Sequence, residues 1–518
     1  MSITAIKDYS GKLDKDIREV RNVERSELYP KKIKYRMFNA DHIQDFLEWN
    51  HEFVVFLDCD TDGLCSAAIC NLYFSELDNV VHYKMASRSQ RGFQKEDVDS
   101  ILREYPSATG ILTVDCGIRS TEAVDYANDN GLDVCITDHH NPDDVIPKAM
   151  VFNPKLDKKT KHFDEFCGAG VIYLLLRENF GEIPGALQYA AIATVADMVP
   201  LISDNRWIVQ NGIKELRNPT KRIQKIDAFF SGIKALVLNE KDIGWSVAPV
   251  INSASRLGKE QVAFDAFVLA DSEAITELYQ LNIERKNIVE DLYEQGKDFT
   301  TASVNGISMS ITKDGNEYTG VLGLLAMKLL SDYGLPAITG SLGDDRMYHY
   351  SMRAPQTTDF ISSLGKLVEE GGGHDEAGGF SSYHNPDEIF DEFHRYYKDV
   401  YENLELLENK QSVGYDIEID FRDAINVIKD LDKLRPFGVG FDEPTFVSRN
   451  VIVEDDGETK SGKYKRYKVF SDDLEEVGYV IDFGNVVKDV GEFDIAYKIS
   501  YNVFLKGPQI DIIEMSKI

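Results

Sequence analysis

The chain has 518 residues, with 57 Lys+Arg against 88 Asp+Glu and a formal net charge of −31. Its 43% hydrophobic and 11% aromatic content excludes intrinsic disorder, and at about 100–200 residues per domain its length predicts three or four domains. The charge excludes a protein that coats nucleic acid with a generally basic surface, since such affinity comes from counterions released at Lys and Arg. A nucleic-acid enzyme with a local basic groove and metal ions stays compatible with it.

The opening MSITAIKDYSGKLDKDIREV mixes charges throughout and lacks the apolar core of a signal peptide. No run reaches the roughly 18 apolar residues that span a bilayer. A cytoplasmic protein without membrane contact is expected. The six cysteines (59, 65, 70, 116, 135 and 167) form no CxxC pair and sit in or beside apolar runs. They are expected to be free thiols of a reduced core.

After an N-terminal extension (1–50), FVVFL at 53–57 reads as a buried parallel strand, and SAAICNLYFSEL as a helix packing back on it. The pattern recurs with ILTVDCG at 111–117 and its helix near STEAVDYANDNG, and again with LDVCITDHH at 132–140. Strand, polar loop and helix in repetition predict an α/β parallel sheet over 51–220, with its site outside the carboxyl ends of the strands. Helical stretches VIYLLLRENF and GALQYAAIATVAD follow. In the connecting region 221–300, Leu278, Leu281, Ile288 and Leu292 fall on one face and predict a long helix from about 258 to 297. A second α/β unit is expected over 301–400, ending near GGGHDEAGGF, with a polar helix FHRYYKDVYENLELLENKQS leading out of it. Residues 412–518 become short alternating segments between turn residues, which predict an all-β barrel or sandwich.

The chemistry gathers at strand ends. DCDTDG places Asp58, Asp60 and Asp62 at alternate positions beside Gly63, and three such carboxylates repel one another unless a cation sits among them. A calcium-binding EF-hand is excluded, because the twelfth loop position is Ile69 rather than Glu. Asp115 ends the second strand. Asp138, His139 and His140 end the third; imidazole with carboxylate suits Mn²⁺, and Asp138 can orient a His ring from behind. Asp197 lies inside the apolar ATVADMVPL, where a buried carboxylate needs a partner or a metal. Each element alone could be an acidic or solvated loop; their joint placement argues for a site. Two divalent ions, Mn²⁺ first and Mg²⁺ second, held by such a set would serve phosphoester hydrolysis by an activated water. No GxSxG elbow, Walker A sequence or reactive-Cys context is present.

In order, DCDTDG, VDCG, TDHHN and ATVADMVPL resemble the four motifs of the DHH phosphoesterases, and further stretches resemble the RecJ-like single-strand exonucleases among them. AMVFNPK and CGAGVIYLL, APVINSASRLG, LNIERKNIVE, GVLGLLAMKLLSDYGLPAI, SMRAP, GGGHDEAGGF and LDKLRPFGVGFDEPTFVSRNV carry that likeness over roughly residues 50–518. It implies a DHH domain joined by a long helix to a DHH-associated domain that binds substrate, followed by an OB-like domain. The implied activity is 5′-to-3′ hydrolysis of single-stranded DNA to mononucleotides, with RNA tolerance and a single-strand-binding or helicase partner left open and a monomer expected. It further implies Asp60, Asp62 and Asp115 as metal ligands, Asp115 bridging, with His139 and Asp197 on the second ion. His140 would contact the scissile phosphate and help protonation. Arg88, Asn252, Arg256, Ser351 and Arg353 would face the nucleotide, and Gly372, Gly373 and His374 would form a glycine-rich substrate loop.

The chain departs from that pattern at Phe56, where many relatives have His, and Asp58 is expected to compensate. It also departs at Gly92-Phe93-Gln94, where GYG is frequent, and in GVGFDEP, which lacks an Asn before the acidic-Pro turn. Apart from the resemblance, Arg256 and Arg353 read as surface ion-pair partners and the GGG as a tight turn. The basic run KSGKYKRYKVF at 460–470 reads either as a DNA track or as an edge strand that discourages aggregation. Two other functions remain open: a phosphodiesterase of short oligonucleotides, and a catalytically weak replication or recombination scaffold.

Overall fold

The computed structural model describes residues 5–87, 92–156, 163–233, 238–303, 306–313, 315–355, 360–374, 377–405, 415–459, 464–482, 486–487, 489–502 and 507–517. Arg88 and residues 460–463 of the basic run lie outside them. The chain falls into two units, one made of Tyr35–Val199 and Asn211–Asn409, the other of Met1–Lys34, Pro200–Gln210 and Lys410–Ile518.

Strand β1 (Ala5–Asp8) belongs to the second of these. The first unit contains a five-stranded sheet of β2 (Glu52–Leu57), β3 (Val80–Met85), β4 (Gly110–Val114), β5 (Asp133–Thr137) and β6 (Met150–Phe152). Its order is β3-β2-β4-β5-β6 and every pairing is parallel. Phe53 to Leu57 are all fully buried, as a parallel strand covered on both faces requires, which is why the run is uninterruptedly apolar. Because the chain leaves β2 for β3 on one side and returns to β4 on the other, the strand order reverses between β2 and β4. A crevice at the carboxyl ends opens at such a point.

The helix Ser272–Gly296 leads to a six-stranded sheet of β7 (Thr300–Ser303), β8 (Gly306–Ser310), β9 (Ala337–Leu342), β10 (Tyr348–Arg353), β11 (Glu370–His374) and β12 (Ala377–Ser382). Its order is β11-β12-β10-β9-β8-β7, with β8 and β9 parallel and the rest antiparallel. On β10, Tyr350 and Met352 point into a core with Phe390 and Phe393 of the helix Pro386–Glu405. His349, Ser351 and Arg353 therefore share the opposite face.

The long helix is shorter than its periodicity predicts. Residues 260–269 form a separate helical piece, Ala270 turns left-handed at φ 61°, and the Asp271 side chain caps the new helix by accepting from Glu273 N and Ala274 N. Leu278, Leu281 and Leu292 are buried along it as expected.

In the second unit β13 (Tyr415–Glu418), β14 (Phe446–Glu458), β15 (Lys465–Phe470), β16 (Glu476–Asp482), β17 (Gly491–Asn502) and β18 (Gly507–Lys517) join β1 in one sheet. Strand β14 pairs with both β15 and β17, closing β14-β15-β16-β18-β17 into the five-stranded barrel expected of an OB-like domain. The domain is not purely β: the helix Ala424–Leu434 buries Ala424, Val427, Leu431 and Leu434 in the barrel core. Tyr467 of the basic run is core as well, while Arg466 pairs with Asp456 and Lys468 with Glu476. All six cysteines are buried and free. Among the described residues no helix is long and apolar enough to cross a membrane.

Candidate functional site

The DCDTDG loop leaves β2 and turns directly into the helix Thr61–Phe74. Asp60 caps that helix, its carboxylate accepting from Asp62 N (2.9 Å) and Gly63 N (3.2 Å). Gly63 is required for the turn, since a Cβ there would lie 2.2 Å from Asp58 O. Asp62 points the other way, to the start of the helix Gly168–Phe180, where Gly168 N and Ala169 N donate to its two oxygens at 2.6 and 2.7 Å. A helix N-terminus favours such an anion. These backbone donors come from CGAG, a segment that sequence reasoning leaves without a chemical role; a small-residue run opening a helix was the available signal.

Asp115 follows β4 in a left-handed conformation, φ 61°, which costs a non-glycine residue on the order of 1 kcal/mol and aims its side chain into the same space. His139 Nε2 lies 3.1 Å from Asp115 Oδ1, 3.8 Å from Asp62 Oδ2 and 3.8 Å from Asp197 Oδ2. Asp197 caps the carboxyl end of the helix Ala186–Ala196. Four side chains, from the start of one helix, the ends of two strands and the end of a second helix, thus converge on a single point. Behind them Asp138 is buried, its Oδ1 accepting from His139 N, His140 N and His140 Nδ1 (2.7, 3.0 and 2.8 Å) and its Oδ2 from Ile118 N (2.9 Å).

The charges show what this arrangement needs. Burial, then the charge of Asp60, pushes Asp58 and Asp62 each up to about 6. Burial, then Asp62, drives Asp115 and Asp197 well above the ordinary carboxylate range. Burial, followed by the charge of His140, holds His139 down to about 3, so its imidazole is neutral. For Asp138 burial acts upward, but the His140 ring and the backbone N–H groups outweigh it and keep the carboxylate below its usual value. For His140 burial acts downward, yet Asp138 and the carboxylates beyond raise it. Asp115 Oδ1 is buried without a hydrogen-bond partner among the described residues, although an imidazole nitrogen stands 3.1 Å away. Three crowded carboxylates, one of them bearing the orphaned oxygen, and one neutral imidazole are the donor set of a divalent transition ion. Two overlapping groups have ligand spacing, Asp62–His139–Asp197 and Asp115–Asp138–His139–His140. Asp58 and Asp60 stand at their edge, on the cleft wall.

That wall belongs to a cleft of about 1580 Å³ whose other side is the six-stranded sheet. Arg256 reaches Gly320 O (3.0 Å) and lines it. Arg353 donates to Ser351 Oγ (3.2 Å) and Met352 O (2.6 Å); burial lowers its pKa, and it has no carboxylate partner among the described residues. Ser351 and Gly372 also face the cleft. On β11, Gly373 and His374 pair with Gly378 and Ala377 of β12, the His374 side chain lying outside the described residues. Asn252 is engaged elsewhere: its Oδ1 accepts from Thr61 N and Thr61 Oγ1, both 2.8 Å, and ties the helix Ala248–Arg256 to the acidic loop.

Residues 52–198 match the model of the DHH family, N-terminal domain, and residues 415–513 that of the RecJ OB domain. Among curated proteins, the single-stranded-DNA-specific exonuclease RecJ of Bacillus subtilis is 27% identical over 429 residues, 80% of this chain and 54% of that protein. Its namesake in Thermus thermophilus is 26% identical over 422 residues, 78% of this chain and 60% of that one. The chain thus spans between half and two thirds of these relatives' length. Among solved structures, RecJ in complex with Mn²⁺ from Thermus thermophilus superposes with a TM-score of 0.75 at 21% identity, over 96% of this chain and 75% of that one. Exonuclease RecJ bound to manganese gives 0.58 at 25%, over 70% and 95%.

Proposed function

We propose that this chain, which carries a DHH domain and a RecJ OB domain, is a divalent-metal-dependent exonuclease that degrades single-stranded DNA from its 5′ end to mononucleotides. The observation that carries the proposal is the convergence of Asp62, Asp115 and Asp197 on His139 at the wall of a cleft whose far side holds Arg353, an arginine with no carboxylate partner among the described residues. The names of the relatives support the substrate and the metal.

Divalent ions at this point, Mn²⁺ or Mg²⁺, would supply hydroxide from water at neutral pH and screen the phosphate charge. Asp62, Asp115, His139 and Asp197 would hold them, with Asp58 and Asp60 completing the set from the first loop. Asp138 fixes the His140 ring through Nδ1, so that Nε2 is the atom left to carry a proton to the leaving oxygen. Arg353 and Ser351 would hold a phosphate of the incoming strand, and Gly372, without a Cβ, would let the backbone approach it. Arg256 would steady the strand from the opposite side.

Single strands labelled at the 5′ or the 3′ end, incubated with Mn²⁺, Mg²⁺ or EDTA beside an Asp115→Ala variant, test this reading. Mononucleotides released from the 5′ label, with metal and the unmodified protein alone, support it. Release from the 3′ end, or hydrolysis in EDTA, contradicts it.

A further inference from the structure

The cleft floor carries a second polar group that the proposed chemistry does not use. On β10 the cleft-facing residues are Arg353, Ser351 and His349, spaced two apart and so about 6.8 Å per step. Opposite them on β12 stand Ala377, Gly379 and Ser381, and on β11 His374, Gly372 and Glu370. The floor is thus three rows deep. The first has a cation, the second a hydroxyl at the end of two successive glycines, and the third His349, Ser381 and Glu370.

The third row is tightly braced. His349 Nδ1 lies 3.1 Å from Ser381 Oγ, and its Nε2 lies 2.9 Å from Asp345 Oδ2. Met347 N donates to Asp345 Oδ1 (3.0 Å) and fixes that carboxylate across the turn between β9 and β10. Gly343 leaves space for the ring, because a Cβ there would stand 2.7 Å from His349 and 2.8 Å from Asp345. With both ring nitrogens engaged, His349 is a positioning residue, and the groups left facing the cleft are acceptors: the Asp345 and Glu370 carboxylates and the Ser381 oxygen.

We propose that Asp345, held by His349 and Met347 N, forms a nucleoside-recognition subsite two rows along the floor from the phosphate position at Arg353, accepting hydrogen bonds from a neutral donor on the nucleotide. The inference rests on the exonuclease reading for the identity of the strand. Carboxylates repel a phosphate, so the sign of charge reverses along the floor from Arg353 to Asp345, and what lies over the third row must donate. Exocyclic amines of adenine and cytosine, and a ribose 2′-hydroxyl, have that chemistry. Thymine, whose single N3–H is flanked by two acceptors, fits poorly.

The test is binding in EDTA, which needs no hydrolysis. 5′-Phosphorylated oligo(dA), oligo(dC) and oligo(dT) with a 3′ fluorophore, and their RNA counterparts, are titrated against the native chain and the variants D345N, H349A and H349Q. The native protein is expected to bind dA and dC about fivefold more tightly than dT, as one hydrogen bond to a carboxylate would give. D345N and H349A should bring that ratio within about twofold, and H349Q, whose amide can still donate to Asp345, should keep most of it. A purely structural role would weaken every oligonucleotide alike and leave the ratio standing, and that result overturns the proposal. A native ratio within twofold for every pair overturns it too. A preference for RNA over DNA that D345N abolishes identifies the ribose as the donor; a base preference alone identifies the nucleobase. Binding with no hydrolysis in Mn²⁺ would defeat the exonuclease reading alone, whereas hydrolysis with flat ratios would defeat the subsite alone.

Discussion

Phe56 and Phe93 pack against each other with ring centroids 4.9 Å apart and planes tilted by 59°. These are the two positions where the chain departs from the RecJ-like pattern near the acidic loop, and the departures meet in one contact. Both rings are buried, among Val54, Val98, Ile101 and Ile111. Position 56 is therefore a core position on β2, and Asp58 stands two residues on, where the strand ends.

Restoring a polar ring there should harm rather than help. Phe56→His would bury an imidazole beside Phe93 without a partner, at a cost of about 2–4 kcal/mol from lost packing and desolvation. The expected result is a melting temperature lower by several degrees with no gain in Mn²⁺-dependent activity. A rise in activity at unchanged stability would show that position 56 reaches the metals.

Gly168 sits where the helix Gly168–Phe180 meets Asp115, and a Cβ would lie 2.6 Å from that side chain. Gly168→Ala should push Asp115 out of line and disturb the N–H donor to Asp62, lowering kcat on the order of a hundredfold. The stability change should be modest, about 1–3 kcal/mol. Melting curves beside single-turnover rates would separate the two effects.

Metal and pH should act on stability together. Asp58 and Asp62 are raised to about 6 in the fold against about 4 in an unfolded chain. Groups shifted upward contribute stability that is complete below pH ~4 and is lost as pH rises through ~6. The metal-free protein should therefore lose stability from pH 5 to pH 7.5 through these carboxylates, and Mn²⁺, which takes the deprotonated forms, should restore it. Melting in EDTA and in Mn²⁺ across that range checks this. A Mn²⁺-induced shift as large at pH 5 as at pH 7.5 would count against it.

Arg353 lacks a carboxylate partner among the described residues and donates to Ser351 and Met352 O instead. Arg353→Lys keeps the charge but loses the planar fork that grips a phosphate through two bonds. Roughly a tenfold rise in KM for a 5′-phosphorylated strand is expected, with kcat less affected. An equal change for phosphorylated and unphosphorylated ends would remove the phosphate from Arg353.

Much of the fold and of the candidate site could be read from the chain. DCDTDG, VDCG and TDHH each follow a continuous apolar run, so motif and strand end are adjacent in sequence and the parallel sheet gathers them. What stayed hidden depends on distant pairing. Nothing local says that Gly168 N and Ala169 N will close on Asp62, more than a hundred residues earlier, or that Asn252 will turn to Thr61. Two cations of the basic run meet acidic partners only once the strands are in register, Arg466 with Asp456 and Lys468 with Glu476. The break in the long helix was local and readable: Asp271-Ser272 is an N-cap signal that the apolar spacing concealed. The helix Ala424–Leu434 also showed its period, hidden among strands.

Mn²⁺ binding to the metal-stripped chain, followed by electron paramagnetic resonance beside Asp115→Ala, decides whether Asp115 holds the ions on which hydrolysis depends. Saturable uptake of two ions per chain is expected, reduced to one or none in the variant, with hydrolysis of a 5′-labelled single strand rising as the ions bind. Hydrolysis by a chain that takes up no Mn²⁺, or uptake that the variant leaves unchanged, would contradict it.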